Sequence, residues 1–146
     1  MSFKLVEIWL RNFSVDLERN PDVMSLYNTL IEEELKEFNA ETEVSEAGLK
    51  EAADLLWVAI GKVLVSGYTA QELETAIARV AESNLSKLCS ESEAKEYVKN
   101  NPDTYYKVNE FGRCTIHRAS DHKIMKGPNY KQADLSNILI SKNDAT

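Results

Sequence analysis

The chain has 146 residues, 43% hydrophobic and 28% charged, with 24 acidic side chains against 17 basic ones and a formal net charge of −7. This length and apolar share suit one globular domain with a buried core and exclude a disordered or fibrous polypeptide. The negative charge argues against nonspecific binding to a nucleic-acid backbone, yet it admits small phosphorylated ligands escorted by metal cations.

Phe3, Val6, Leu10, Phe13 and Leu17 recur at spacings of three and four, which predicts a first helix to about Arg19. Asn20-Pro21-Asp22 punctuates, and Pro21 suits the first turn of a second helix, expected from about Asp22 to Glu43. A third helix is expected from about Ser45 to Ser66. Its centre, Leu55-Leu56-Trp57-Val58-Ala59-Ile60, is apolar all round, which predicts cover on more than one side, from its own bundle and from a second subunit. Gly67 ends it. Thr69-Ala70-Gln71-Glu72 has the form of a capping box and opens a fourth helix to about Leu88. Short connections between four helices predict an antiparallel bundle over residues 2–99, with all of 1–146 as one domain.

After Cys89 the composition changes. Ser90-Glu91-Ser92-Glu93 caps a short helix running to about Lys99, and Asn100-Asn101-Pro102-Asp103 stops it. Thr104 to Val108, Cys114 to His117 and Lys123 to Met125 have strand character. With turns at Asn109 to Gly112 and Ala119 to Asp121, they predict a small β-meander within an appendage spanning about 104–140, followed by a loose tail after Asn143. The longest apolar stretch, Leu55 to Val65, is broken by Lys62, and the first helix carries Lys4, Glu7 and Arg11. Neither a membrane span nor a signal peptide is expected, so the predicted compartment is the cytoplasm, with Cys89 and Cys114 as free thiols.

Three apolar stripes continue into polar residues. On the second helix Val23, Leu26, Leu30, Glu34, Glu37 and Glu41 share one narrow stripe, apolar first and acidic afterwards. Glu51 and Asp54 form a second acid pair at i and i+3 on the third helix, where Glu51 shares a face with Leu55 and Val58. If the two helices face one another, four carboxylates converge, and carboxylate oxygens are the ligands that Mg²⁺ takes. The alternative is a pair of solvated helix faces. A di-iron bundle would need Glu-x-x-His motifs, and the histidines, His117 and His122, lie in the β-segment. On the fourth helix Leu73, Ile77, Val80, Asn84 and Lys87 form the third stripe, so that an amide and an ammonium replace apolar residues in its last turns. Lys87 either pairs with the acids or binds a phosphate. Lys126-Gly127-Pro128-Asn129-Tyr130 offers a further cation and ring on a fixed loop. Trp9, Phe13, Trp57, Tyr68 and Tyr130 each suit either base stacking or core packing, with Trp57 three residues beyond Asp54.

Together these elements resemble the all-α nucleoside triphosphate pyrophosphohydrolases, the superfamily of MazG, bacterial phosphoribosyl-ATP pyrophosphohydrolase and the dCTP pyrophosphatases. Its signature, Glu-Glu-x-x-Glu followed on the next helix by Glu-x-x-Asp, reads here as Glu33-Glu34-Leu35-Lys36-Glu37 and Glu51-Ala52-Ala53-Asp54. The stretches EAADLLWVAIG, AESNLSKL and KIMKGPNY also have counterparts, in this order, in the phosphoribosyl-ATP pyrophosphohydrolase-like proteins of bacteriophages and bacteria. The resemblance covers about Phe3 to Ile140. It implies that Glu34, Glu37, Glu51 and Asp54 hold Mg²⁺, for which Mn²⁺ can substitute, and that Glu33 orients or activates water. It sends Asn84, Lys87, Lys126 and Tyr130 toward substrate phosphates, and leaves Trp57 and Trp9 as candidates for the base. The implied reaction is hydrolysis of a nucleoside triphosphate, or a related phosphorylated molecule, between the α and β phosphates, by a homodimer or a dimer of dimers that engages neither nucleic acid nor membrane. The rival expectation is a noncatalytic acidic helical module, descended from this family, that binds a partner protein.

Overall fold

Residues 2–139 are described by the computed structural model; Ile140, the end of the expected β appendage, and the expected loose tail after Asn143 lie outside them. The chain is mostly helical, with five helices, α1 (Lys4–Asn12), α2 (Pro21–Ala40), α3 (Glu46–Val65), α4 (Ala70–Leu85) and α5 (Glu91–Asn100), and one antiparallel pair of strands, β1 (Thr104–Val108) and β2 (Cys114–Arg118). Internal contacts divide it into two compact units, Met1–Thr75 and Ala76–Thr146, with the division inside α4.

In the first unit α1 buries Val6 and Leu10 and stops at Asn12 instead of running to Arg19. The apolar spacing does continue, but Ser14 adopts a left-handed φ of 55° and the Val15 N–H turns back to the Leu10 carbonyl at 2.9 Å. Val15 and Leu17 still pack on the core, from a nonhelical segment. The periodicity there reports burial without helix. α2 begins where expected: the Asn20 side-chain oxygen accepts the N–H groups of Asp22 and Val23 at 3.0 and 3.4 Å, and Pro21 needs no partner in the first turn. It ends at Ala40, three residues early, because Glu41 takes an extended conformation; Glu41 therefore drops off the acidic stripe.

α3 is capped by Ser45, whose Oγ accepts the Gly48 N–H at 3.0 Å. It packs antiparallel to α2, with Gly61 against the ring of Tyr27 and the Lys62 Nζ donating to the Met24 carbonyl at 2.7 Å. Val6, Leu10, Tyr27, Ile60, Leu64, Val65 and Ala70 form the buried core, flanked by Val23, Leu30 and Leu73 among others. α3 is not covered all round within this chain: Leu56 is 58% exposed and Trp57 36%. Leu26 is also exposed, so the apolar half of the α2 stripe is buried only at Val23 and Leu30.

The start of α4 is fastened twice. Thr69 and Glu72 exchange capping bonds of 3.1 and 2.8 Å, and the Ala70 N–H donates to Glu7 at 3.4 Å. Burial pushes the Glu7 carboxyl up, but the Arg11 guanidinium and the Ala70 N–H outweigh it and hold the carboxyl below its usual range. Along the expected α4 stripe Leu73 packs on the core, whereas Ile77 and Val80 are exposed.

In the second unit α4 ends at Leu85, not Leu88. The next three residues tighten into a turn, with the Lys87 and Leu88 N–H groups donating to the Asn84 and Leu85 carbonyls at 3.2 and 3.1 Å. Ser90 and Glu93 close a capping box on α5. β1 pairs with β2 from Thr104 opposite Arg118 to Val108 opposite Cys114. The expected third strand reduces to a single bridge, His117 to Ile124, with the Met125 N–H donating to the Ile116 carbonyl at 2.8 Å before Gly127 and Pro128 turn the chain away. Cys89 and Cys114 exchange both backbone hydrogen bonds, at 3.0 and 2.8 Å, and both thiols are free and buried beside Ala94 and Ile116. Among the described residues no single helix is long and apolar enough to cross a membrane.

The α2–α3 contact is the tightest constraint in the first unit. A Cβ on Gly61 would stand 2.4 Å from the Tyr27 ring, which is itself buried. Gly61→Ala is expected to destabilise the protein by about 1–3 kcal/mol, the usual range for overpacking, read as a lowered denaturation midpoint in urea.

Candidate metal centre

The antiparallel register that seats Tyr27 on Gly61 also fixes the acids. Glu34 lies seven residues beyond Tyr27 and Asp54 seven before Gly61, about two helical turns on each side. Glu37 and Glu51 lie one further turn along. Among the described residues Glu34, Glu37 and Glu51 each present a carboxylate oxygen, and these three atoms lie within 4.8 Å of one another. Glu33 is exposed on the neighbouring face of α2.

Glu34 is half-buried. Its Oε2 is buried and has no hydrogen-bond partner, the single such side-chain atom among the described residues. Burial pushes its carboxyl above the usual range, and the charges of Glu37, Asp54 and Glu51 push it further. An oxygen in that position calls for a proton or a cation. All the candidate donors are carboxylates, the chemistry that suits Mg²⁺ or Mn²⁺ rather than a softer metal. The residues thus fit such an ion.

Asp54 stands apart from the triad. Its Oδ2 accepts the Lys50 Nζ at 2.7 Å, and the same ammonium reaches the two oxygens of Glu51 at 3.1 and 3.4 Å. These bonds, to Asp54 first and Glu51 second, raise the pKa of Lys50. Lys50 escaped the sequence reading although its i to i+4 relation to Asp54 is a recognisable ion-pair spacing. Beside the acids, Trp57 meets Trp9 edge to face at 6.1 Å, and Trp9 stacks on Phe13 at 4.5 Å. The three rings form one partly exposed cluster of aromatic surface.

The predicted phosphate ligands all belong to the second unit and line one cavity of about 330 Å³. Lys87 Nζ donates to Asn84 Oδ1 at 2.8 Å, and the Lys126 ammonium sits 4.8 Å from the centre of the Tyr130 ring. Arg118 and Lys123 also line the cavity and were not anticipated; Arg118 is bound by Asp121 through two hydrogen bonds, which leaves Lys123 as the less engaged addition. Among the described residues no carboxylate lines the cavity. The loop lies close to the end of α4: a Cβ on Gly127 would come within 3.0 Å of the Lys87 carbonyl. Asn129 fastens it further by donating to Glu93 at 3.1 Å.

Fold and site together give a mostly helical protein in which, among the described residues, three carboxylates gathered on an antiparallel helix pair could hold a metal ion. No family model, curated protein or solved structure matches the chain.

The raised pKa of Glu34 has a defined sign. Above the ordinary carboxylate pKa of 4.5 the unfolded chain releases this proton more readily than the folded one, so ionised Glu34 opposes folding as pH rises through its folded pKa. Glu34→Gln is therefore expected to stabilise chelator-treated protein at neutral pH. The gain should vanish as pH falls to about 4.5 and below, as checked by thermal melts across pH.

Proposed function

We propose that this chain is a Mg²⁺-dependent nucleoside triphosphate pyrophosphohydrolase of the all-α, MazG-like type, with the antiparallel four-helix bundle of that superfamily. On this reading it hydrolyses a ribo- or deoxyribonucleotide, or a related triphosphate, to a monophosphate and pyrophosphate in the cytoplasm. The observation that carries the reading is the convergence of Glu34, Glu37 and Glu51, drawn from both halves of the Glu-Glu-x-x-Glu and Glu-x-x-Asp signature, around an unpartnered buried oxygen. The free thiols are compatible with a reducing compartment.

Glu34, Glu37, Glu51 and Asp54 would hold the ion, which when bound neutralises charge on phosphate oxygens and acidifies the attacking water. Glu33, exposed next to this set, would orient that water or accept its proton. Within the second unit, Lys87, Asn84 and Lys126 would offer donors to phosphate oxygens, with the Lys126 ammonium against the Tyr130 ring. Trp57 and Trp9 offer apolar faces for a base.

Chromatographic separation of monophosphate, pyrophosphate and orthophosphate from a panel of ribo- and deoxyribonucleoside triphosphates with Mg²⁺ tests this reading. Equal monophosphate and pyrophosphate from a preferred nucleotide is the expected result. Glu37→Gln and Asp54→Asn should each lower kcat by at least about 100-fold while circular dichroism keeps the helical signal, because a lost charge-stabilising ligand acts on the transition state. Full activity in either variant refutes the assignment. A folded protein silent across the whole panel returns weight to the noncatalytic, partner-binding alternative.

The same reading includes a homodimer or a dimer of dimers. Its support is the apolar surface left open on the first unit, where Leu5, Ile8, Phe13, Leu49 and Leu56 are all exposed. Light scattering after size-exclusion chromatography is expected to give twice or four times the 16.5 kDa chain mass, and Leu56→Asp to reduce it. A monomer at all concentrations contradicts the assembly.

A further inference from the structure

Lys50 occupies an unusual place. It precedes Glu51 in sequence and stands one turn before Asp54, so a single ammonium spans two of the four acids assigned to the metal. Glu51 is shared, being both a member of the 4.8 Å triad and a partner of Lys50. Asp54, the acid that stands apart from the triad, is the one Lys50 holds most closely, at 2.7 Å. Of the groups acting on Glu34, three are carboxylates that raise its pKa and Lys50 is the cation that lowers it. The lysine side chain is itself 66% exposed, on a flexible stem that can carry the charge into water without disturbing the core.

We propose that Lys50 is a resident counter-ion of the acid cluster, and that a divalent cation must displace its ammonium before Glu51 and Asp54 can both serve as ligands. The inference rests on the metal reading given above and assigns a regulatory role to a residue outside the signature. Lys50 relieves repulsion among the acids when no divalent ion is bound. It also sets the concentration at which the site fills, since Glu51 and Asp54 cannot give the same lone pairs to both cations. Its removal should therefore change two properties in opposite directions: weaker folding without metal, and tighter metal binding.

The test is calorimetric titration of Mn²⁺ into the chelator-treated full chain, paired with melting of the metal-free protein at neutral pH. Lys50→Gln is expected to raise Mn²⁺ affinity by about 3- to 5-fold, the range that loss of one exposed ion pair supports, and to lower the metal-free melting temperature. Lys50→Arg keeps the charge and the spacing and should stay within about twofold of the unsubstituted chain. Lys36→Gln, on the exposed face of α2, removes an equal charge without touching the acids and should also stay within about twofold. Equal affinity in Lys50→Gln and the unsubstituted chain, or an equal rise in Lys36→Gln, overturns the counter-ion role while leaving the metal site standing. Absence of Mn²⁺ binding in every variant overturns the metal reading and this proposal together.

Discussion

The contact on which the first unit depends is the seating of the Tyr27 ring on Gly61. A helix pair with a side chain at position 61 would have to move apart or slide, because the space for a Cβ is already filled by a buried ring. Close approach here fixes both separation and register. Two turns farther on, the same register sets the acids of α2 opposite those of α3. A rigid apolar contact at one end of the pair thus holds repelling charges together at the other, and the electrostatic strain is met by burial of Tyr27, Ile60, Leu64 and their neighbours. The device is economical: no loop has to be ordered to gather the carboxylates.

The polar fastenings differ in kind from this packing. Ser45, Thr69 and Ser90 each satisfy free N–H groups at the start of a helix, and each is local to a few residues. They decide where helices begin. The acid cluster instead joins residues from two helices, so it exists only once α2 and α3 have docked. Its free energy belongs to tertiary structure, and a substitution that loosens Tyr27 on Gly61 would disperse it without altering any acid.

This division also explains what the sequence could reveal. Capping chemistry is short-range, and the starts of α2, α3, α4 and α5 were all legible to within a residue or two. The acid pairs were legible because helical periodicity places them on the faces that also carry core residues. Periodicity misled where it reports burial without conformation: Val15 and Leu17 keep an apolar rhythm after Ser14 has left the helix. It also overstated burial at Leu26, Ile77 and Val80, since a face can be apolar and still lack a neighbour within the chain. Lys50 was missed because attention to carboxylates alone ignores the cation one turn before Asp54. The third strand was overpredicted for a different reason: its β-branched and apolar residues form only the His117–Ile124 bridge before Gly127 and Pro128.

The two units happen to carry separate natural reporters. Both tryptophans, Trp9 and Trp57, belong to the unit Met1–Thr75, while both cysteines, Cys89 and Cys114, belong to Ala76–Thr146 and are wholly buried there. Indole fluorescence therefore reports on the Trp9–Trp57 contact of one unit, and the rate at which a thiol reagent gains access follows the loss of the other unit's core. No label or engineered residue is needed to learn whether α4, which runs through the division between them, makes the two cores melt as one.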